Sequence, residues 1–278
     1  MESLEGRSAL VTGASRGLGR VIAGALADEG MALGLAARSA DELEETAARV
    51  RERGAAAEVL PADLADREET ARLAERAAET LGGVDLLVNN AGVTRPYPYH
   101  RRPADEVAGA VELNLLAPML LARSLLPGML ERGRGHVVNM ASLAGKAGPP
   151  FEAVYGATKA GLIGFTQSLR REYRGRGVSA SAVCPGYVTG TGMYAEGLEA
   201  SGAEAPATAG RATPGEVARA VVEAVRGDRP EVFVNSVPVR PLTVLAEASP
   251  RLGEWASRKL GLFRSFERSA EHALEEES

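Results

Sequence analysis

Cysteine, histidine and lysine are all scarce in this chain of 278 residues. Its one cysteine, Cys184, cannot form an internal disulfide, and together with three histidines it is too little for a metal site of thiolates and imidazoles. We therefore expect a reduced, cytoplasmic setting and no bound metal. We see no run of about 18 apolar residues that would cross a bilayer, and no signal-peptide pattern in the opening MESLEGRSALVTG.

An excess of basic charge is lacking as well. The net charge is −5 and the pI is about 5.5, so no general positive field attracts nucleic acid or an anionic membrane. The length suits one α/β domain followed by a tail.

Lysine is informative because it is so rare. Of 32 basic residues, only Lys146, Lys159 and Lys259 are lysine. Lys159 follows Tyr155 by four residues in VYGATKAGLIGF, so both side chains lie on one face of a helix. One interpretation is a tyrosine with a satisfied hydroxyl beside a lysine that reaches water. The other is that position 159 requires a compact ammonium on a flexible stem, which arginine does not supply.

Short apolar runs alternate with amphipathic stretches as far as residue 236. Strands are predicted at Ser8–Thr12, Met31–Ala36, 56–60, Val84–Val88, His136–Met140, Ser179–Val183 and Glu231–Val234. Helices are predicted around Leu18–Leu26 and at 40–53, 66–81, 104–132, 153–174 and 214–226. This alternation predicts an α/β fold, a Rossmann-type doubly wound parallel sheet of about seven strands with helices on both faces.

Local signals refine these elements. Asp66 followed by Glu69 resembles a capping box. Pro118, inside the long helical region, should kink the helix or be accommodated there. We expect two loops, 93–103 and 187–213, to border the substrate, and the second, which is rich in Gly, Ala and Thr, to form a mobile lid.

VTGASRGLGR falls where the first strand ends and a helix begins. There Gly13 permits a tight turn, Gly17 lets the backbone approach a pyrophosphate, and Gly19 lets the helix pack close to the sheet. The spacing varies the usual G-x-G-x-x-G fingerprint. Phosphate binding is the favoured interpretation, and a merely tight turn is the alternative.

The end of the second strand distinguishes two nucleotides. An NAD site usually has an Asp or Glu there for the ribose hydroxyls, but this chain reads Ala36-Ala37-Arg38. Arg38 and Arg16 together could hold a 2′-phosphate. The sequence therefore favours NADP(H) over NAD, unless Arg38 simply ends a strand in water.

With its remaining motifs the chain resembles the short-chain dehydrogenase/reductase family. The motifs lie in the family's order over roughly residues 6–235: Thr12-Gly13-x-x-x-Gly17-x-Gly19, Asp63, Asn89-Asn90-Ala91-Gly92, Asn114, Ser142, Tyr155-x-x-x-Lys159 and Pro185-Gly186. The ordered set is highly specific, although each motif alone is common.

The resemblance implies a set of cofactor contacts. Asp63 and Leu64 would contact adenine, residues 90–92 would line the ribose region, and the segment after the sixth strand would lie beside the nicotinamide. The full predicted set is Gly13, Ser15, Arg16, Gly17, Leu18, Gly19, Arg38, Asp63, Leu64, Asn90, Ala91, Gly92, Tyr155, Lys159, Pro185, Gly186, Val188 and Thr189. Three alternatives remain open: a turn capped by Asp63, a turn formed by Asn89-Asn90, and a strand end capped by Ser142.

Hydride transfer to a carbonyl leaves negative charge on oxygen, which a proton donor must neutralise. We predict Tyr155 as that general acid, and as the base in the reverse direction. Lys159 would lower the pKa of Tyr155, since a cation about 4 Å away is worth up to roughly three pK units, and would bind the nicotinamide ribose. The resemblance adds Ser142 as a hydrogen-bond partner of the substrate oxygen and Asn114 as the holder of a proton-relaying water.

The predicted function is an NADP(H)-dependent oxidoreductase acting on a carbonyl or secondary alcohol, of the ketone or 3-oxoacyl reductase type. A methyltransferase that binds S-adenosylmethionine would leave Ser142, Tyr155 and Lys159 unused. A nucleotide-binding sensor or scaffold without catalysis is the other alternative. Family resemblance also favours a homodimer or homotetramer.

We divide the chain into a catalytic domain, residues 1–236, and a carboxyl-terminal helical extension, residues 237–278. The extension carries many apolar groups, among them Leu242, Trp255 and Phe263, so we expect it to pack on the core or on a second subunit. An amphipathic element lying on a membrane or covering a lipid-like substrate is the alternative. Residues 275–278, Glu-Glu-Glu-Ser, are predicted to be disordered.

Overall fold

A sheet of seven parallel strands forms the centre of the molecule. We describe residues 3–275 of a computed structural model of the chain. The strands are β1 Ser8–Thr12, β2 Ala32–Ala37, β3 Ala57–Pro61, β4 Leu86–Asn89, β5 Gly135–Met140, β6 Val178–Pro185 and β7 Glu231–Val234. Their order across the sheet is β3-β2-β1-β4-β5-β6-β7, with every neighbouring pair parallel. The predicted Rossmann-type fold is confirmed, and every strand lies within two residues of its predicted bounds.

Helices cover both faces of this sheet. They are α1 Gly17–Asp28, α2 Ala40–Arg51, α3 Arg67–Thr80, α4 Ala104–Val111, α5 Ala117–Glu131, α6 Ala144–Ala147, α7 Ala153–Glu172, α8 Met193–Ser201, α9 Pro214–Arg226, α10 Arg240–Ala248, α11 Pro250–Lys259 and α12 Arg264–Glu275. Ile22, Leu43 and Val221 of α1, α2 and α9 belong to the apolar cluster on one face. Leu73 and Leu121, from α3 and α5, belong to the cluster on the other. Every residue of β1, β4 and β5 is buried between these layers.

The long helical region Ala104–Glu131 is interrupted by a wider π turn at Glu112–Leu116. Pro118 is the second residue of α5 and has no N–H to donate to the carbonyl four residues earlier, which is that of Asn114. The π turn accommodates the proline ring without breaking the helix. As a consequence, the main-chain carbonyl of Asn114 lacks its ordinary α-helical partner.

By length and composition this same region could cross a membrane, which the sequence analysis did not foresee. It is 28 residues long, and its most apolar window has a mean hydropathy of 1.4. Burial within the domain accounts for that composition, because Leu121, Leu125 and Met129 of α5 pack into the core. The region is a core helix of this fold.

Two local predictions are corrected. Asp66 caps α3 as expected, but Glu69 accepts from the N–H of Asp63 at 2.6 Å, so the reciprocal half of the capping box is absent. Part of the expected lid loop forms helix α8.

Part of the sequence prediction cannot be compared with the structure. The predicted disorder of the last four residues lies, apart from Glu275 at the end of α12, outside the described residues.

Candidate active site

The predicted cofactor residues follow the carboxyl ends of successive strands. Because the strands are parallel, these ends meet at one edge of the sheet. From β3 to β6 across the sheet, the first polar or glycine positions are Asp63, Arg38, Gly13, Asn90 and Ser142, followed by Gly186. Adjacent strands are about 4.8 Å apart, so this row spans roughly 24 Å, enough for an extended dinucleotide. Open α/β sheets bind ligands at this edge, near the point where the strand order reverses, which here lies between β1 and β4.

The turn after β1 has no room for a side chain at Gly13 or Gly19. A Cβ placed on Gly19 would lie 2.0 Å from the Gly13 carbonyl oxygen, and one on Gly13 would lie 2.9 Å from Ala91 Cα. Asn90 closes this contact by donating from Nδ2 to the Thr12 carbonyl at 3.0 Å. The Thr12 hydroxyl accepts from the backbone N–H of Asn90 at 2.9 Å. Asn90 therefore joins the end of β4 to the turn after β1.

The two arginines proposed for the 2′-phosphate differ in their surroundings. The Arg38 side chain is exposed and has no hydrogen bond or ion pair with any of the residues 3–275. Arg16, by contrast, forms an ion pair with Glu196 of α8 at 2.5 Å. The Arg38 guanidinium can therefore bind an anion without breaking another contact, whereas Arg16 would first have to break its ion pair with Glu196.

Asp63 and Leu64 lie at the end of β3, the edge strand of the sheet. Asp63 Oδ1 accepts from the N–H of Ala65 at 3.0 Å, so the carboxylate does cap a turn, as its alternative interpretation held. Its second oxygen is not occupied by this bond. Leu64 is buried, with 6% of its surface exposed.

Ser142, Tyr155 and Lys159 meet at the end of β5. Tyr155 and Ser142 are half-buried, and the Ser142 hydroxyl lies near enough to Tyr155 to act on its pKa. Lys159 is 3% exposed; its Nζ donates to the Met140 carbonyl at 2.8 Å and lies 5.5 Å from the centroid of the Tyr155 ring. A phenol, a hydroxyl and an ammonium thus share one cleft.

The pKa relation predicted for this pair is not what the structure shows. Burial raises the pKa of Tyr155 to about 12, and the Ser142 hydroxyl opposes this only in part. Burial also lowers the pKa of Lys159 to about 8. Desolvation disfavours the charged form of both groups, and for Tyr155 it outweighs the effect expected from the charge of Lys159.

Asn114 is fully buried in the π turn, beside Lys159. Its Oδ1 accepts from the Val93 N–H and its Nδ2 donates to the Val93 carbonyl, both at 2.8 Å. A Cβ on Gly92 would lie 3.1 Å from Asn114 Oδ1 and 3.6 Å from Lys159 Nζ. The side chain therefore holds the loop after β4 in place, and a water-relay role for this residue stays a prediction.

A cleft of about 1270 Å³ opens at this edge. Of the predicted residues it is lined by Leu18, Asn90, Ser142, Tyr155, Lys159, Pro185, Gly186 and Val188. Thr189 lies just beyond, where its N–H donates to the Ala212 carbonyl at 3.0 Å. The cleft brings the candidate catalytic groups together with the predicted nicotinamide-binding segment.

Glu152 was missed by the sequence analysis. It lines the cleft three residues before Tyr155, is 4% exposed, and accepts from the Thr94 hydroxyl at 2.5 Å. Burial raises its pKa to about 7, against the opposing effects of Thr94 and Arg102. A glutamate at a helix start carries no signal of burial in the sequence, so only the fold reveals it.

Comparison with known proteins identifies the family. A profile described as short chain dehydrogenase matches residues 7–201, which include the glycine turn, Ser142, Tyr155 and Lys159. The chain belongs to the short chain dehydrogenase family. The match ends within α8, so the helices α10–α12 lie outside it.

Relatives within this family differ in their named activities. The chain is 41% identical to a ketoacyl reductase, HetN, of Nostoc sp. strain PCC 7120, over 86% of this chain and 82% of the relative. It is 40% identical to a 2-dehydro-3-deoxy-L-rhamnonate dehydrogenase (NAD(+)) of Sphingomonas sp. strain SKA58, over 65% of this chain and 71% of the relative.

Solved structures agree with the fold. A metagenomic short-chain oxidoreductase in complex with NADP superposes with a TM-score of 0.71 and 33% identity, covering 84% of this chain and 98% of its own. The short chain dehydrogenase core is therefore shared almost completely, and the part of this chain outside the superposition amounts to about a sixth of its length.

We predict that Glu152→Gln stabilises the protein in a pH-dependent way. The folded pKa of about 7 lies above the ordinary value of 4.5, so the cost of burying the charge appears as pH rises from 4.5 to 7. Relative to the variant, the wild type should lose up to about 3 kcal/mol of unfolding free energy over that range. Urea unfolding at pH 5 and pH 8 measures this difference.

The matched control is Glu199→Gln, which changes an exposed carboxylate on α8. It should leave the pH dependence of unfolding unchanged. An equal pH dependence for wild type and Glu152→Gln would show that Glu152 is not held in a desolvated site.

Proposed function

We propose that the protein is an NADP(H)-dependent ketoreductase in which Tyr155 gives the proton to the substrate oxygen. The observation that carries this proposal is the meeting of Ser142, Tyr155 and Lys159 in one cleft at the carboxyl edge of the sheet. The naming of HetN as a ketoacyl reductase supports a 3-oxoacyl type of substrate.

The cleft supplies what carbonyl reduction needs from the protein. NADPH, when bound, supplies the hydride. Ser142 and Tyr155 present two hydroxyls to the carbonyl oxygen, which orients the substrate and stabilises the charge that develops there. Because the pKa of Tyr155 is about 12, its hydroxyl is protonated at neutral pH and is ready to donate. The proton then moves from the Tyr155 oxygen to the substrate oxygen.

Lys159 balances the charge that this proton transfer leaves behind. Its pKa of about 8 keeps most of the ammonium protonated at neutral pH. A tyrosinate at position 155 would have that ammonium as its nearest cation, since Nζ lies 5.5 Å from the ring centroid.

The residues present fit a dinucleotide. The turn after β1 leaves no room for side chains at Gly13 and Gly19, and Gly17 has φ of +57°, which suits backbone N–H groups facing a pyrophosphate. Arg38 would bind a 2′-phosphate at the end of β2, and no carboxylate at positions 36 and 37 repels it. Lys159 would bind the nicotinamide ribose, beside Pro185 and Gly186.

We also propose that the protein forms a homo-oligomer and works in the cytoplasm. The exposed face of α7 carries Ala157, Ala160 and Gly164, and Val111 of α4, a helix that contacts α7, is 39% exposed. Small apolar groups on an exposed helix face suit close contact between two copies. Analytical ultracentrifugation measures the oligomeric state directly.

Tyr155→Phe tests the proton donor. The variant should lose turnover by about 10²–10⁴-fold, because it removes the acid but keeps the ring that packs in the cleft. NADPH binding, followed by fluorescence, should stay within a few fold of the wild type. Tyr173→Phe, at the far end of the same helix, is the matched control and should keep full activity. Substantial turnover by Tyr155→Phe would contradict the mechanism.

Arg38→Ala tests the cofactor preference. A charge-assisted hydrogen bond is worth about 1.5–3 kcal/mol, so kcat/KM with NADPH should fall by roughly 10–100-fold. With NADH it should change little. The control is Arg49→Ala, which changes an exposed arginine of the following helix, α2. Equal or better use of NADH by the wild type would overturn the assignment of NADP(H).

A further inference from the structure

The helices α10–α12 fold back over the cleft instead of leading away from it. Tyr187, which directly follows Pro185 and Gly186, joins them to the reacting edge: its hydroxyl donates to the Leu262 carbonyl at 3.3 Å and pairs with Ser265 Oγ at 3.0 Å. The ring of Phe266 lies 5.7 Å from that of Tyr187. The extension therefore contacts the segment predicted to lie beside the nicotinamide.

Further bonds hold the extension to the lid. Thr208 Oγ1 donates to the Leu260 carbonyl at 2.9 Å, and Ser201 Oγ pairs with Ser269 Oγ at 3.3 Å. Lys146 of α6 forms ion pairs with Glu231 at 3.0 Å and with Glu247 of α10 at 3.4 Å. Ala270 and Ala273 of α12 are buried against the domain. These contacts make α10–α12 a fixed wall of the cleft.

The wall presents apolar side chains to the cleft. On α10, Leu242 and Ala246 line it, whereas Val244 and Leu245 point outward and are 62% and 40% exposed. After α11, Leu262, Phe263 and Phe266 line it. The lid contributes Met193, Tyr194 and Leu198 to the same space.

Charged and polar residues also belong to this wall. Glu247 pairs with Lys146, and the exposed Arg258 pairs with Glu254 at 3.6 Å. Arg264 and Glu267 are exposed. Thr243, Ser257, Ser265 and His272 line the cleft as well, so Leu242, Phe263 and Phe266 are apolar groups within a mixed lining.

The volume of the cleft also suits a long substrate. Its volume of about 1270 Å³ exceeds the roughly 300–1,000 Å³ of common small-ligand pockets. Ser142 and Tyr155 need only the carbonyl itself, so the rest of the cleft is available to the nicotinamide and to the remainder of the substrate. Each methylene that is buried strengthens binding by about fourfold.

We propose that α10–α12 form the wall that selects the substrate, and that the substrate is a ketone carried on a long apolar chain. The proposal rests on the ketoreductase function proposed above and adds the class of substrate. It places the chemistry in the shared family core and chain-length selection in the helices beyond it.

The test compares kcat/KM for two thioesters of N-acetylcysteamine, the short 3-oxobutanoyl and the long 3-oxododecanoyl. The full-length wild type should prefer the long thioester by at least about tenfold, because the added methylenes are buried against the wall. Leu242→Asp should lower this preference by roughly tenfold or more and leave the short thioester nearly unaffected. Val244→Asp, on the outer face of the same helix, should change neither value.

A second variant keeps the test decisive if Leu242→Asp does not fold. Leu242→Trp fills the wall instead of making it polar, so it should reduce kcat/KM for the long thioester alone. A wild-type preference near one, or equal effects of Leu242→Asp and Val244→Asp, would overturn the wall while leaving the ketoreductase intact. Reduction of neither thioester by a wild type that binds NADPH would overturn the proposed function, and the wall with it.

Discussion

The central strands of the sheet are buried on both faces, so polar chemistry in this fold is found at the edge where the strands end. β1, β4 and β5 are buried along their whole lengths, so their side chains are committed to packing. The main chain leaves the sheet at its carboxyl edge, and there glycines, amides and hydroxyls become available to a ligand. The order of the strands arranges residues far apart in sequence, from Asp63 to Gly186, in one row. The site depends on this constraint more than on any single side chain.

The second constraint is desolvation within the site. Tyr155, Lys159 and Glu152 lie within eight positions on or beside α7, and burial shifts the pKa of each towards its neutral form. A neutral phenol is the state that a proton donor needs, but a tyrosine of ordinary pKa is also neutral at pH 7, so burial alone makes Tyr155 a weaker acid. Lys159 keeps enough basicity to remain mostly charged near neutral pH, with the Met140 carbonyl as its partner. The low dielectric that raises the pKa of Tyr155 also strengthens the attraction between a tyrosinate and this ammonium.

The strands, the glycine turn and the family could be predicted from sequence because each leaves a local pattern. A strand buried on both faces is a continuous apolar run, and a turn that touches the next strand end requires glycine, as Gly13 and Gly19 do. Tertiary effects could not be predicted. The pairing of Arg16 with Glu196, the burial of Glu152 and the raised pKa of Tyr155 all depend on elements far away in sequence. Helix α8 was missed because Gly192, Gly197 and Gly202 suggested a loop.

The extension shows most clearly how little an amphipathic pattern says about its partner. From the apolar groups of the extension, among them Leu242, Phe263 and Phe266, the sequence predicts packing on the core or on a second subunit, with a membrane or a lipid-like substrate as the alternative. The structure distinguishes two faces: one lines the cleft and is bonded to Tyr187, and the other leaves Val244, Leu252 and Trp255 exposed. The inner face contacts the segment after β6 through Tyr187, which is bonded to Leu262 and to Ser265 of α12. A family core can thus keep its proton donor unchanged while an added wall alters which carbonyl reaches it.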